Sequence, residues 1–258
     1  MIAQLWASRP LLLTLVRRQY QLRYRQSFAG IAWAIVPPLA TLAVATLVFD
    51  QVAEVDTGNT PYVMFALAAL VPWTFFSTSL TFGITSVVNE KFIVTRLAFP
   101  RAVLPLAMIG TALIDLFAAI LVFLVFVIFT GIGLPVTALW FPVIILIELV
   151  LVTGVVLFAS AMNVFARDVR QAVPVVTQLW LFVTPVMYPL SKVPSQYREL
   201  VEWLNPMAGV VETSRLVLLQ GKAPNVELLI PALVGATVML ILGSWYFSST
   251  ERRFADAI

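Results

Sequence analysis

Between Arg101 and Arg167 the chain carries only two charged side chains, Asp115 and Glu148. A water-facing surface cannot be built from such a stretch. A helix that crosses a bilayer needs roughly 20 mostly apolar residues, and this stretch holds two of them, returned by an uncharged turn at 131–135. The rest of the chain is of the same kind. Of 258 residues, 61% are hydrophobic and 11% charged, against about 45–50% and about 25% in soluble domains. A soluble globular fold is excluded, and so is disorder, which needs low hydrophobicity and high charge. What remains is an all-α, polytopic integral membrane protein.

Two absences narrow the chemistry. With no cysteine and no histidine, thiolate metal sites, disulfides, a Cys nucleophile and the usual general base are all removed. No metal site is expected, because a metal would need clustered Asp or Glu alone. The chain has a net charge of +3, but its Lys and Arg sit beside hydrophobic spans, so nucleic acid is not an expected partner. No phosphate-cradling loop is present either: Gly221-Lys222 lacks the earlier glycine and is followed by Ala223. The N-terminus does not read as a cleavable signal peptide, since its short apolar run leads into basic residues.

Residues 10–27 are too basic to span. On a helix, Leu12, Leu15, Val16, Tyr20 and Tyr24 share one face, and Arg17, Arg18, Gln21 and Arg25 the other, the pattern of a helix lying in the membrane interface. Arg23 falls on the apolar side and is expected to snorkel. Six spans follow, at about 30–49, 62–88, 102–129, 139–165, 173–188 and 228–247. Pro37-Pro38 are expected to kink or break the first of them. The charged segment 89–101 and the Arg167-Asp168 pair lie between spans, and a long mixed segment, 189–226, contains a half-hydrophobic stretch at 201–219. Twelve of the sixteen Lys and Arg residues fall in the N-terminal segment, the loops after spans two and four, and the tail. By the positive-inside rule both termini are cytoplasmic.

Few residues offer themselves as a site. Asp115 and Glu148 lie deep in spans three and four, where an ionisable group is costly unless sheltered. Each is either packed against a polar partner between helices or part of a proton relay. Asp50, Glu54 and Asp56 form an acidic loop, candidates for glycosyl transfer in composition only. Aromatic residues cluster at Trp73, Phe75 and Phe76 and at Trp180, Phe182 and Tyr188. They read either as interfacial belts or as faces lining a channel along which sugar rings slide. The 89–101 segment and Arg167-Asp168 read either as positive-inside anchors or as short charged helices offered to a motor protein.

Several pieces then recur in a familiar order. Tyr20, Arg23, Arg25, Ser27, Gly30, Trp33 and Pro37 precede or open the first span. Pro72-Trp73 with Phe75-Phe76 stand in the second. Asn89 through Leu97-Ala98-Phe99-Pro100-Arg101, then Leu104-Pro105, follow it. Arg167-Asp168, Gln178, Trp180, Pro185 and Tyr188 come next, then Asn205-Pro206, and a tail of Glu251, Arg252 and Phe254-Ala255-Asp256. In order and spacing, over essentially the whole length, the chain resembles the membrane subunit of ABC exporters of lipid-linked polysaccharide, the type-two ABC permease family.

The resemblance implies that residues 1–258 are one transmembrane domain, paired as a homodimer around a channel and bound to two copies of a separate ATPase. ATP and Mg would be held by that ATPase, and this chain would bind no cofactor and be no enzyme. Arg17, Arg18, Asn89, Glu90, Phe92, Arg96, Phe99, Pro100 and Arg101 would contact the ATPase, with Arg167 and Asp168 in the second cytoplasmic loop. Segment 195–220, with Asn205, Pro206, Glu212 and Arg215, would form short re-entrant helices guarding a periplasmic exit. A lipid-linked glycan of O-antigen, capsule or teichoic acid type would be threaded outward through the inner membrane. The alternatives are a permease of the same architecture for a small hydrophobic drug or lipid, and an ion-coupled secondary transporter working through Asp115 or Glu148.

Overall fold

The computed structural model describes residues 6–25, 30, 33, 35–52, 56–58, 60–97 and 99–257. Ser27, Glu54 and Ala98 lie outside the described residues, as does part of the lead-in to the first span. Among the described residues the regular structure is entirely helical: α1 (Arg9–Tyr24), α2 (Val36–Ala45), α3 (Tyr62–Gly83), α4 (Ser86–Asn89), α5 (Lys91–Arg96), α6 (Val103–Thr130), α7 (Phe141–Phe165), α8 (Val169–Val183), α9 (Ser195–Leu204), α10 (Pro206–Leu219), α11 (Val226–Thr250) and α12 (Phe254–Ala257). Four helical stretches are long and apolar enough to cross a membrane: Tyr62–Gly83, Val103–Thr130, Val136–Phe165 and Val226–Ala257. At 1.5 Å per residue, the 28 residues of α6 reach about 42 Å, more than the roughly 30 Å of a hydrocarbon core. Val36–Asp50 and Val169–Val183 are apolar but shorter.

Helix α3 is the centre. Sixteen of its 22 residues are buried, and α6, α7 and α10 pack around it. The most extensive contact lies between α7 and α11, where Gly154 and Gly243 bring the two backbones together. A Cβ on Gly154 would meet the Met239 and Leu240 backbone, and one on Gly243 would meet Gly154 itself. Without a hydrophobic drive between helices in lipid, such close approach is what dispersion and Cα–H contacts require. A second apolar cluster gathers Leu15, Val94, Val103, Leu157, Phe247 and Phe254. It joins α1, α5, α6, α7, α11 and α12.

Three local expectations are revised. Pro37 and Pro38 do not interrupt a helix: α2 begins at Val36, which places both in its first turn, where an absent N–H leaves no intrahelical bond unmade. The fifth apolar helix starts earlier than expected and stops at Val183. Thr184 precedes Pro185 and takes an extended conformation, φ −81° and ψ 133°, as the residue before a proline is driven to do. Residues 184–188 are therefore unwound. Finally, Arg23 does not snorkel outward; it turns inward onto Asp115.

Candidate functional site

A cavity of about 370 Å³ opens where α1, α2, α3, α6 and α8 meet. Its charged lining is one pair. Arg23 Nη1 donates to Asp115 Oδ2 at 2.5 Å, and the Tyr24 hydroxyl donates to Asp115 Oδ1 at 2.7 Å. The guanidinium lies over the Phe82 ring, 3.7 Å from its centroid. Asp115, expected to need a polar partner, thus has two, both from α1. The remaining lining is aromatic, with Trp33, Trp73 and Phe82, hydroxylic, with Thr41, Thr74, Ser77 and Thr78, and aliphatic, with Pro37, Pro38, Leu70 and Leu181. Thr74 and Ser77 give their protons to carbonyls of their own helix, Leu70 and Thr74, so their oxygen lone pairs remain for a guest.

The aromatic candidates separate. Trp73 lines the cavity. Phe75 and Phe76 are 1% and 0% exposed and pack in the main core, with Phe76 edge-on to Trp180. Phe182 is on the surface of the chain. Tyr188 folds back, its hydroxyl donating to the Phe182 carbonyl at 2.8 Å.

The second constellation holds the unwound segment 184–188. Arg215 on α10 is buried to 1% exposure. Its Nη1 donates to the Pro185 carbonyl at 2.6 Å, and its Nη2 to that of Val186 at 2.5 Å. Nε donates to Phe65 O at 3.2 Å, and Glu212 accepts from Nη1 at 3.0 Å. The guanidinium also sits 3.6 Å from the Phe65 ring centroid. Asn205 spans the same junction, accepting from Trp180 Nε1 and donating to Thr184 Oγ1, each at 2.9 Å. Tyr62 adds a bond from its hydroxyl to the Met187 carbonyl at 2.9 Å. Carbonyls freed when α8 ends are thus supplied with donors from α3 and α10, as buried irregular backbone requires. Pro206 starts α10 and packs under Gly235 of α11.

The third constellation is at the basic end. Arg18 and Gln19 of α1 both donate to Glu90, at 3.0 Å, tying α1 to the α4–α5 joint. Arg101 donates to the Glu251 carbonyl, tying the start of α6 to the tail. Phe254 inserts edge-on against Phe247. Phe99 and Pro100 are half-buried, while Arg17, Asn89, Phe92, Arg96, Arg167 and Asp168 face outward. Arg96 lies over the Phe92 ring at 4.1 Å. Lys91, Asn89, Arg167 and Arg170 border a shallow hollow of about 320 Å³.

Glu148 stands apart. It is fully buried in α7, and among the described residues neither carboxylate oxygen finds a hydrogen-bond partner. Among the described residues no group of three or more acids gathers for a metal ion. The Arg23–Asp115 pair escaped the sequence reading as a site because the two residues lie 92 positions apart. Its signals were Arg23 on the apolar face of α1 and Asp115 deep in an apolar span.

Comparison with known proteins places this geometry. Residues 10–219 match the family model described as ABC-2 type transporter. The chain is 31% identical over 259 residues to the O-antigen export system permease protein RfbA of Myxococcus xanthus, covering 100% of this chain and 99% of that one. It is 25% identical over 249 residues to the protein of the same name from Klebsiella pneumoniae, covering 96% and 95%. It is 23% identical over 215 residues to the polysialic acid transport protein KpsM of Escherichia coli, covering 79% of each.

Proposed function

The chain belongs to the ABC-2 type transporter family, and on that premise we propose that it is the membrane subunit of an exporter of lipid-linked polysaccharide, driven by a separate ATPase. The observation that carries the reading is the full-length similarity to an O-antigen export permease. The chemistry of the cavity agrees with it: aromatic faces and hydroxyls suit sugar rings, and the chain offers no phosphate loop of its own. Two copies enclose the path, each bound to one ATPase that holds ATP and Mg. Six spans cross the inner membrane, the shorter helices at 36–52 and 169–183 among them, with both termini cytoplasmic.

In this reading each constellation has a task. The basic end, with Arg17, Arg18, Asn89, Glu90, Phe92, Arg96, Phe99, Pro100, Arg101, Arg167 and Asp168, receives the ATPase. Its movement reaches α1 through the Arg18–Glu90 and Gln19–Glu90 contacts. Because α1 also carries Arg23 and Tyr24, a shift at Glu90 is felt at Asp115. At the opposite end α9 and α10 form the re-entrant pair at the exit, and Arg215 and Asn205 fix the unwound segment beside it.

The test is deletion of the gene together with co-purification of the chain with the ATPase encoded beside it. Expected are a stable complex with ATP turnover and lipid-linked polymer accumulating inside the deletion strain. A stable complex with normal surface glycan would instead assign the chain to a drug or lipid permease. No complex at all would return attention to ion coupling.

A further inference from the structure

Resting on the reading that the chain carries a glycan, we infer that the cavity at Arg23 and Asp115 seats an uncharged sugar ring and discriminates against anionic ones. The argument starts from charge. Arg23 and Asp115 are joined at 2.5 Å and cancel, and among the described residues no other charged side chain lines the cavity. An anionic sugar entering it meets no free cation. It also has to place its negative charge beside the Asp115 carboxylate, where water is scarce and screening weak.

Hydrogen-bonding capacity points the same way. Arg23 uses Nη1 on Asp115, while no bond from its Nε or Nη2 to another of the described residues is formed, and neither nitrogen is a buried orphan. These donors face accessible space. Asp115 accepts one hydrogen bond on each oxygen, from Arg23 and Tyr24, and each oxygen keeps a further lone pair. With Thr74 and Ser77 as acceptors, the lining offers both donors and acceptors within one small volume. A sugar hydroxyl is both at once and can satisfy both kinds of group. A carboxylate or phosphate only accepts, so it engages Arg23 and leaves oxygen facing oxygen at Asp115. Trp33, Trp73 and Phe82 supply the apolar surfaces against which the C–H faces of a ring pack, and about 370 Å³ lies within the roughly 300–1,000 Å³ of small-ligand sites.

The experiment uses the chain with its ATPase in lipid nanodiscs. Tryptophan fluorescence is titrated with methyl glycosides of glucose, galactose and mannose, each beside its uronic acid, so that members of a pair differ only in a carboxylate. The Trp73→Phe variant assigns the signal to the cavity. Expected is saturable quenching in which each neutral glycoside binds at least about tenfold tighter than its uronic acid, a gap of about 1.4 kcal/mol. Asp115→Asn, which leaves Arg23 uncompensated, should close or reverse that gap. The double variant R23Q/D115N, neutral again and without a buried lone cation, should restore it, and it carries the test if the single variant fails to fold. Equal affinities within the pairs, unmoved by either variant, would overturn the inference, as would the absence of any Trp73-dependent binding of a neutral glycoside. Such a result in a strain whose deletion still traps lipid-linked polymer removes the sugar site and leaves the exporter standing. Discrimination as predicted in a strain whose deletion leaves surface glycan normal keeps the site and removes the exporter.

Discussion

At the residue scale the sharpest demand is made by Arg215. A guanidinium at 1% exposure is tolerated because its donors are spent on the carbonyls of Pro185, Val186 and Phe65 and on Glu212. Replacing it removes donors from buried oxygens, and each buried group left unpaired costs about 1–3 kcal/mol. Arg215→Met should therefore lower the thermal midpoint of the detergent-solubilised chain markedly, by a loss of about 3 kcal/mol or more. Arg215→Lys keeps the charge but not the planar fork, so it should recover only part of that loss. Equal stability of all three forms by differential scanning fluorimetry would deny Arg215 its role at segment 184–188. The same logic applies to Asn205 with less at stake, because it makes two neutral bonds. Asn205→Ala should cost about 1–2 kcal/mol and change the emission of Trp180, whose indole N–H loses its acceptor.

At the scale of elements, packing is set by small residues rather than by charge. The α7–α11 crossing depends on Gly154 and Gly243 meeting backbone to backbone. Gly243→Leu cannot be absorbed by a rotamer change, since the obstacle is main chain, so the helices must separate. Loss of folded protein on expression is the expected outcome, and Gly133→Ala, where a Cβ meets nothing within 4 Å, is the control that should express normally.

Much at this scale was legible in the sequence. The long apolar runs at 102–129 and 139–165 locate α6 and α7 nearly to their ends, because a helix hydrophobic all round has no other stable setting than a membrane or a core. The charged break at 89–101 has helix-compatible spacing, whereas the short helices over 195–220 were an expectation of the family resemblance rather than of the hydropathy. What could not be read is which face of each helix does what. Helix α3 is buried on nearly every side, so its sequence has no polar stripe to separate Trp73, which lines the cavity, from Phe75 and Phe76, which fill the core. Arg23 and Asp115 are in register only through the tertiary crossing of α1 over α6. Local periodicity saw a misplaced cation in one helix and a misplaced acid in another. The end of α8 was readable in principle, since Pro185 restricts Thr184, but the apolar run continues past it to Tyr188 and masks the break.

For the molecule as a whole, α1 is an element that joins the basic end to the cavity. Helix α1 touches the α4–α5 joint at Glu90 and α6 at Asp115, so a load applied to α5 reaches the cavity without passing through the core. Phe92 is where such a load would enter. It is 63% exposed on a helix of six residues, with Arg96 stacked on its ring. An aromatic side chain flanked by arginine is the kind of anchor that dominates an interface. The double variant F92A/R96A leaves every buried contact of the chain intact, so helical content and detergent stability should match the parent. Its co-purification with the partner ATPase should fall at least about tenfold, a loss of about 1.4 kcal/mol. Glu90→Lys should behave differently. It turns the attraction between Arg18 and a Glu90 side chain at 12% exposure into a repulsion, so glycan export should drop relative to ATP turnover. Introducing Arg18→Glu alongside it restores the attraction with its signs exchanged and should recover export. Recovery of export per ATP hydrolysed in the paired variant is the signature of force carried along α1. Export that stays normal in Glu90→Lys alone would mean that α5 drives the spans directly, through Val94 and the cluster around Phe254.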